Sequence, residues 1–136
     1  MNSSADRTAG HDVAIPVPPT EGMENAGKIA HLMLEKNAAD VLIMDLRGIT
    51  SMTDCFVLAT GSSRAQVKAI ADHVDDSLRK SGAKPYQIEG YTGLAWVILD
   101  YVHVVAHIFM PAEREYYHLE RLWADADMTT VEDHIL

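Results

Sequence analysis

The stretch from Trp96 to Trp123 constrains the fold more than any other part of the chain. Residues 94–99 and 102–110 are rich in β-branched and aromatic side chains and read as an antiparallel hairpin. With a period of two, Trp96, Ile98 and Asp100 share one face, and Val97 and Leu99 share the other. On the return strand Val104, Ala106, Ile108 and Met110 form an apolar face, which leaves His103, Val105, His107 and Phe109 opposite. Pro111 then suits the first position of a helix, with Glu113 and Glu115 near its positive end. One sheet therefore carries acids, histidines and aromatics and no set of groups suited to catalysis. The second set of side chains fits a partly exposed binding face. It fits equally a Trp96 and Phe109 packed under the terminal helix.

The rest of the chain supplies the layers around this hairpin. Ala26, Ile29, Ala30, Met33 and Leu34 recur at helical spacing, and Val41 to Met44 follow as an apolar strand ended by Gly48. A second apolar strand, residues 55–60, stops at Gly61; two strands apolar throughout imply a sheet covered on both faces there. Ser63 and Gln66 form a capping box ahead of a helix whose buried face is Val67, Ile70, Ala71, Val74 and Leu78, with Gly82 at its C-terminal cap. Residues 85–89 read as a short strand. The order is helix, two strands, helix, three strands, helix: an α/β (α+β) fold built on a mixed five-stranded sheet with flanking helices.

Residues 1–21, with Pro16-Val17-Pro18-Pro19, read as a disordered N-terminal tail, and residues 125–136 as an acidic C-terminal tail. The folded domain expected between them is 22–124. The N-terminus has no apolar segment of the kind a secretory signal needs, and no run approaches a membrane span. One cysteine, Cys55, lies in an apolar strand and reads as a reduced, buried residue of a cytoplasmic protein.

Charge narrows the partners. Twenty acids against eleven Lys and Arg give a formal net charge of −9. The basic residues are dispersed among acids, so direct nucleic-acid binding, which needs cations to displace counterions from phosphates, is not expected. An acidic protein is steered instead towards basic partners.

Three chemical sites fail on spacing. Gly61-Ser62-Ser63-Arg64 joins a strand to a helix N-terminus, where free amides can hold an anion, but it lacks the Lys-Ser/Thr ending of a P-loop. Nucleotidyltransferases follow a Gly-Ser turn with metal-holding carboxylates; the next acids here, Asp72, Asp75 and Asp76, lie far along the helix. His103 and His107 share a strand face, but two imidazoles without a thiolate or close carboxylate are too few for a zinc site. Cys55 among apolar neighbours makes a poor nucleophile. No catalytic residue, metal or cofactor is expected.

Several short motifs, in this order and spacing, carry a resemblance. They are Asp45-Leu46-Arg47, Thr53-Asp54-Cys55-Phe56, Thr60-Gly61-Ser62-Ser63-Arg64, Ala71-Asp72-His73-Val74, Glu89-Gly90, Trp96-Val97-Ile98-Leu99-Asp100 and Tyr117 to Trp123. Together they resemble the Iojap family, the ribosomal silencing factors called RsfS, over residues 22–124. The resemblance implies a nucleotidyltransferase-like fold without the catalytic carboxylates. It implies binding to the large ribosomal subunit through its basic ribosomal protein fourteen, a steric block to subunit joining, and repressed translation.

With the face analysis, it places partner contacts at Asp54, Glu89, Trp96, Asp100, Tyr101 and His107, with Met110 at the edge. An exposed hairpin face with Trp96 also allows a homodimer off the ribosome. Two other readings remain: an enzyme with a phosphate site at Gly61 to Arg64, and a ribosome-assembly factor using the same contact. The chain departs from the family at Tyr101-Val102-His103, where relatives often carry an aromatic-Gly-Asp turn. Valine resists positive φ, so a different turn type or a shifted register is expected there.

Overall fold

The computed structural model describes residues 21–132. The strands are β1 (Ala39–Asp45), β2 (Cys55–Thr60), β3 (Gln87–Glu89), β4 (Trp96–Asp100), β5 (Val104–Phe109) and β6 (Asp127–Thr130). They form one mixed sheet in the order β3-β4-β5-β2-β1-β6. Only β2 and β5 run parallel, and they carry the centre of the sheet. Two helices, α1 (Glu21–Glu35) and α2 (Arg64–Lys80), cover one face; α3 (Pro111–Tyr117) and α4 (Leu119–Leu122) lie against part of the other.

The two apolar strands explain that layering. Cys55, Val57 and Ala59 of β2 are fully buried beneath Ile29, Met33, Val67 and Ile70 of the long helices. On the opposite face Leu58 packs with Met44, Phe109 and Leu119. Both faces are covered at β2, as its unbroken apolar run requires. A close approach fixes the start of α1: a Cβ added at Gly22 would stand 2.6 Å from the His103 carbonyl oxygen and 2.7 Å from an Asp54 carboxylate oxygen.

The α2 cap matches its expected residues with one difference. Ser63 Oγ accepts from the Gln66 amide at 3.1 Å. The Gln66 side chain reaches back one residue further than a standard capping box, accepting from the Ser62 amide at 2.6 Å while its own amide donates to the Asn37 carbonyl at 2.9 Å. One side chain thus caps α2 and ties it to the end of α1.

Two expectations are corrected. The sheet has six strands, not five: part of the segment expected as a C-terminal tail, Asp127–Thr130, pairs antiparallel with β1. All four of its side chains are exposed, so its backbone bonds, not burial, hold it at the edge. The terminal helix is also broken. His118 takes a left-handed conformation, φ 45°, which ends α3 and turns Leu119 and Trp123 onto the sheet. The N-terminal segment expected to be disordered, apart from Glu21 at the start of α1, lies outside the described residues.

Candidate functional site

Because α3 and α4 span only seven and four residues, they leave the β3–β4 half of the second face open. Strand register places the side chains there in rows. Glu89, Ile98, His107 and Leu58 stand across the sheet in one row, and Gln87, Asp100, Val105 and Phe56 in the next. Trp96 stands opposite Phe109 and stacks on it with ring centroids 4.9 Å apart. Tyr117 from α3 closes over the indole at 4.7 Å.

His107 lies beneath this aromatic surface, 5 % exposed. Its ring meets Phe56 edge-on at 4.5 Å, and its Nδ1 accepts from the Trp96 indole N–H at 3.1 Å. That bond puts the ring proton on Nε2, which has no hydrogen-bond partner among the described residues. Burial among apolar rings holds the imidazole neutral, with its pKa pushed down to about 3.

Three of the seven expected contact residues, Glu89, Trp96 and Asp100, share this open face. His107 shares the face but is buried beneath it, where it orients Trp96. Tyr101 and Met110 pack on the opposite side, against the core under α1 and α2, because each lies one residue beyond a side chain of the open face. Asp54 sits under the hairpin tip beside Gly22, its amide donating to the His103 carbonyl at 3.0 Å.

The hairpin tip, where a different turn type or a shifted register is expected, is a tight turn on Val102. Val102 adopts positive φ, 75°, and the register continues undisturbed with Asp100 opposite Val105. The His103 amide donates to the Tyr101 carbonyl at 2.9 Å, a three-residue γ-turn centred on Val102, the rare and strained form of that turn. Asp100 Oδ1 accepts from the Val102 amide at 2.8 Å and helps hold it. The backbone that glycine would adopt freely is thus imposed on a β-branched residue.

Beside this tip the face dips into a groove of about 400 Å³. Phe56 and Val105 are among its lining residues, along with Trp123, Tyr86, Val102 and the loop residue Met52. Met52 is 84 % exposed and Tyr86 78 %. Sequence reasoning did not single out Met52 or Tyr86, and it singled out Val102 only for its backbone. Met52 lies in a polar loop without periodicity, and Tyr86 immediately precedes a three-residue strand.

The other candidate chemistry is absorbed into structure. Gln66 occupies the Ser62 amide and hydroxyl, and Arg64 donates to the Gly93 carbonyl at 3.1 Å. Asp72 binds Lys68 and Tyr91, each at 2.8 Å, and Asp75 binds Arg79 at 2.7 Å. Two of the three carboxylates expected to lie far from the Gly-Ser turn are thus held by partners of their own. Burial pushes the Cys55 thiol up to about 12, and its Sγ lies 3.4 Å from the Gly22 carbonyl oxygen. Among the described residues no group of three or more His, Cys, Asp or Glu could hold a metal ion, and no helix is long and apolar enough to cross a membrane.

Residues 19–135 match the family model described as "Ribosomal silencing factor during starvation", RsfS. The chain belongs to the RsfS family. It is 38 % identical over 98 residues to "Ribosomal silencing factor RsfS" of Bacillus subtilis, a match covering 72 % of this chain and 83 % of that protein. It is 28 % identical over 124 residues to "Mitochondrial assembly of ribosomal large subunit protein 1" of Mus musculus, covering 87 % of this chain and 54 % of that one. Among solved structures, a Chromobacterium violaceum protein superposes with a TM-score of 0.71 at 31 % identity, covering 81 % of this chain and 92 % of that one. The expected family and its mixed α/β fold are therefore both met.

Proposed function

We infer that this protein is a non-enzymatic, cytoplasmic repressor of translation that binds the large ribosomal subunit through basic ribosomal protein fourteen. Bound there, it blocks joining of the small subunit by steric exclusion. Family membership supports the ribosomal role, and the open face carries the rest of the reading. An uncovered half-sheet presenting Trp96 and Tyr117, with Glu89 and Asp100 beside them, has the aromatic centre and charged rim of a protein interface. The net charge of −9 favours a basic protein partner over bare RNA.

The experiment is a subunit-joining assay on sucrose gradients. Purified protein in stoichiometric excess over large subunits lowers the joined-ribosome peak, and the protein co-sediments with the large subunit. An unchanged joined peak would refute the repression mechanism. Trp96→Ala with Glu89→Lys is expected to abolish co-sedimentation and restore joining. Light scattering at several concentrations checks whether the same face pairs two copies when no ribosome is present.

An assembly role is the second reading, favoured by the printed name of the mouse relative. It uses the same contact at another time. Depletion in growing cells separates the two: accumulation of incomplete large subunits points to assembly, and unrestrained joining after nutrient loss points to repression.

A further inference from the structure

The groove beside the hairpin tip opens over the edge of the second core cluster, against which its Phe56 and Trp123 pack. Its walls include Met52, Tyr86 and Val102, all exposed, and its floor is Phe56 and Val105. Among its lining residues Asp100 is the one charged group, and no Lys or Arg is present. One Asp100 oxygen is bonded to the Val102 amide; its other oxygen makes no hydrogen bond among the described residues. An apolar trough ending in one half-occupied carboxylate is complementary to a large apolar side chain carried next to a cation. The strain at Val102 bears on the same place. Glycine at that φ would relieve the turn but leave the lip of the groove without a side chain. Strained backbone persists where the surrounding structure over-determines it, and here it holds an isopropyl group against the groove.

We propose that this groove is a second anchor of the docking face and seats an extended basic segment of the partner. One large apolar side chain lies on Phe56 and Val105, and the adjoining Lys or Arg pairs with Asp100. The proposal rests on the large-subunit reading above and adds a chemistry to it. The groove is continuous with the open face, since Asp100 and Val105 stand in the row beside Ile98 and His107. A partner covering Trp96 therefore reaches it without a gap.

The test is co-sedimentation with purified large ribosomal subunits from the source organism, titrated at low and high salt. Val105→Arg puts a guanidinium into the groove beside Asp100 and is expected to weaken binding at least about tenfold. Met52→Lys places a cation on the fully accessible lip and is expected to weaken binding without touching the core, so a folding failure of Val105→Arg does not decide the matter. Asp100→Asn keeps an acceptor for the Val102 amide while removing the charge. It is expected to weaken binding about tenfold and to flatten its salt dependence.

If Val105→Arg folds and, like Met52→Lys, binds as the natural protein does, while Trp96→Ala does not bind, the groove is no anchor and the large-subunit reading stands. If Asp100→Asn matches the natural protein at both salt concentrations, the basic character of the segment is refuted. If the natural protein itself fails to sediment with large subunits, both readings fall.

Discussion

The buried imidazole of His107 makes a quantitative prediction about stability and pH. In the unfolded chain a histidine titrates near 6.5; in the fold, burial lowers that of His107 to about 3. Between those values the unfolded chain binds a proton that the folded protein refuses, so stability rises with pH across the window. The contribution is fully present above about pH 7 and falls by about 1.4 kcal/mol per unit below 6.5. At pH 4.5 the loss is about 2–3 kcal/mol, and it continues until the folded pKa is passed. Hydrogen bonds to His73, Arg47, and Lys68 with Tyr91 hold the Glu35, Asp45 and Asp72 carboxyls below their ordinary values, so these begin to lose their own contribution near about pH 5, where the unfolded chain starts to protonate. The assay is urea unfolding followed by tryptophan fluorescence at half-unit steps from pH 7.5 to 4.5, with the m-value checked for constancy. His107→Gln keeps an acceptor for the Trp96 indole and removes the titrating group. It is expected to be less stable by about 1–2 kcal/mol at neutral pH, with the deficit closing as pH falls. The other histidines remain in the variant, so subtraction isolates His107. Parallel pH profiles for the two proteins would refute the reasoning.

Val102→Gly is expected to be more stable than Val102→Ala by about 1 kcal/mol in chemical denaturation, reversing the usual order, because alanine keeps the penalty of positive φ. Equal stabilities would show that the turn carries no strain. Gly90→Ala is expected to cost about 3 kcal/mol or more, or to detach β3, since the added methyl collides with the Trp96 carbonyl at a position whose φ is already 77°. Thermal unfolding and amide exchange of β3 check it. Arg114→Lys is expected to cost about 1–3 kcal/mol, because the guanidinium bonds the Thr60 hydroxyl, the Asp40 carbonyl and the Glu120 carboxylate together and an ammonium on a flexible stem cannot span all three. A Tm unchanged from the natural protein would count against that account.

Strict periodicity made most of this fold legible. The helical spacing from Val67 to Leu78 and the alternation in Trp96–Asp100 survive into the structure because each element buries one face or stripe. β6 was not legible: Asp127, Met128, Thr129 and Thr130 are all exposed, so no alternation marks them, and their pairing with β1 is a backbone matter. The break at His118 was hidden for a related reason, since a left-handed histidine has no composition signal of the kind glycine gives. Within the site, period two sorted the hairpin faces correctly. Tyr101 and Met110 nevertheless entered the contact set although that same period puts each opposite its neighbour on the open face. The Val102 argument identified the residue under stress, and the turn there carries positive φ. Local preference would have moved the turn, but the register between β4 and β5 and the Asp100 bond to the Val102 amide impose the backbone instead.

That outcome bears on how the face works. A surface that binds without rearranging loses less entropy on association, because its side chains are ordered beforehand. Trp96 is held on three sides: stacked on Phe109, covered by Tyr117, and tied through its N–H to an imidazole that stays neutral across the physiological range. The hairpin tip is held just as firmly, by the Asp100 bond and by the γ-turn across Val102. The polar groups beneath the open face are spent on fixing the geometry of the aromatic ones. This also accounts for a histidine buried with one nitrogen unpartnered: the cost of burying Nε2 is offset by an indole locked in a single orientation. A catalytic imidazole needs access to solvent or substrate and a pKa near neutrality, and His107 has neither. On the docking proposed above, the arrangement serves recognition by shape, with Asp100 left to supply the charge.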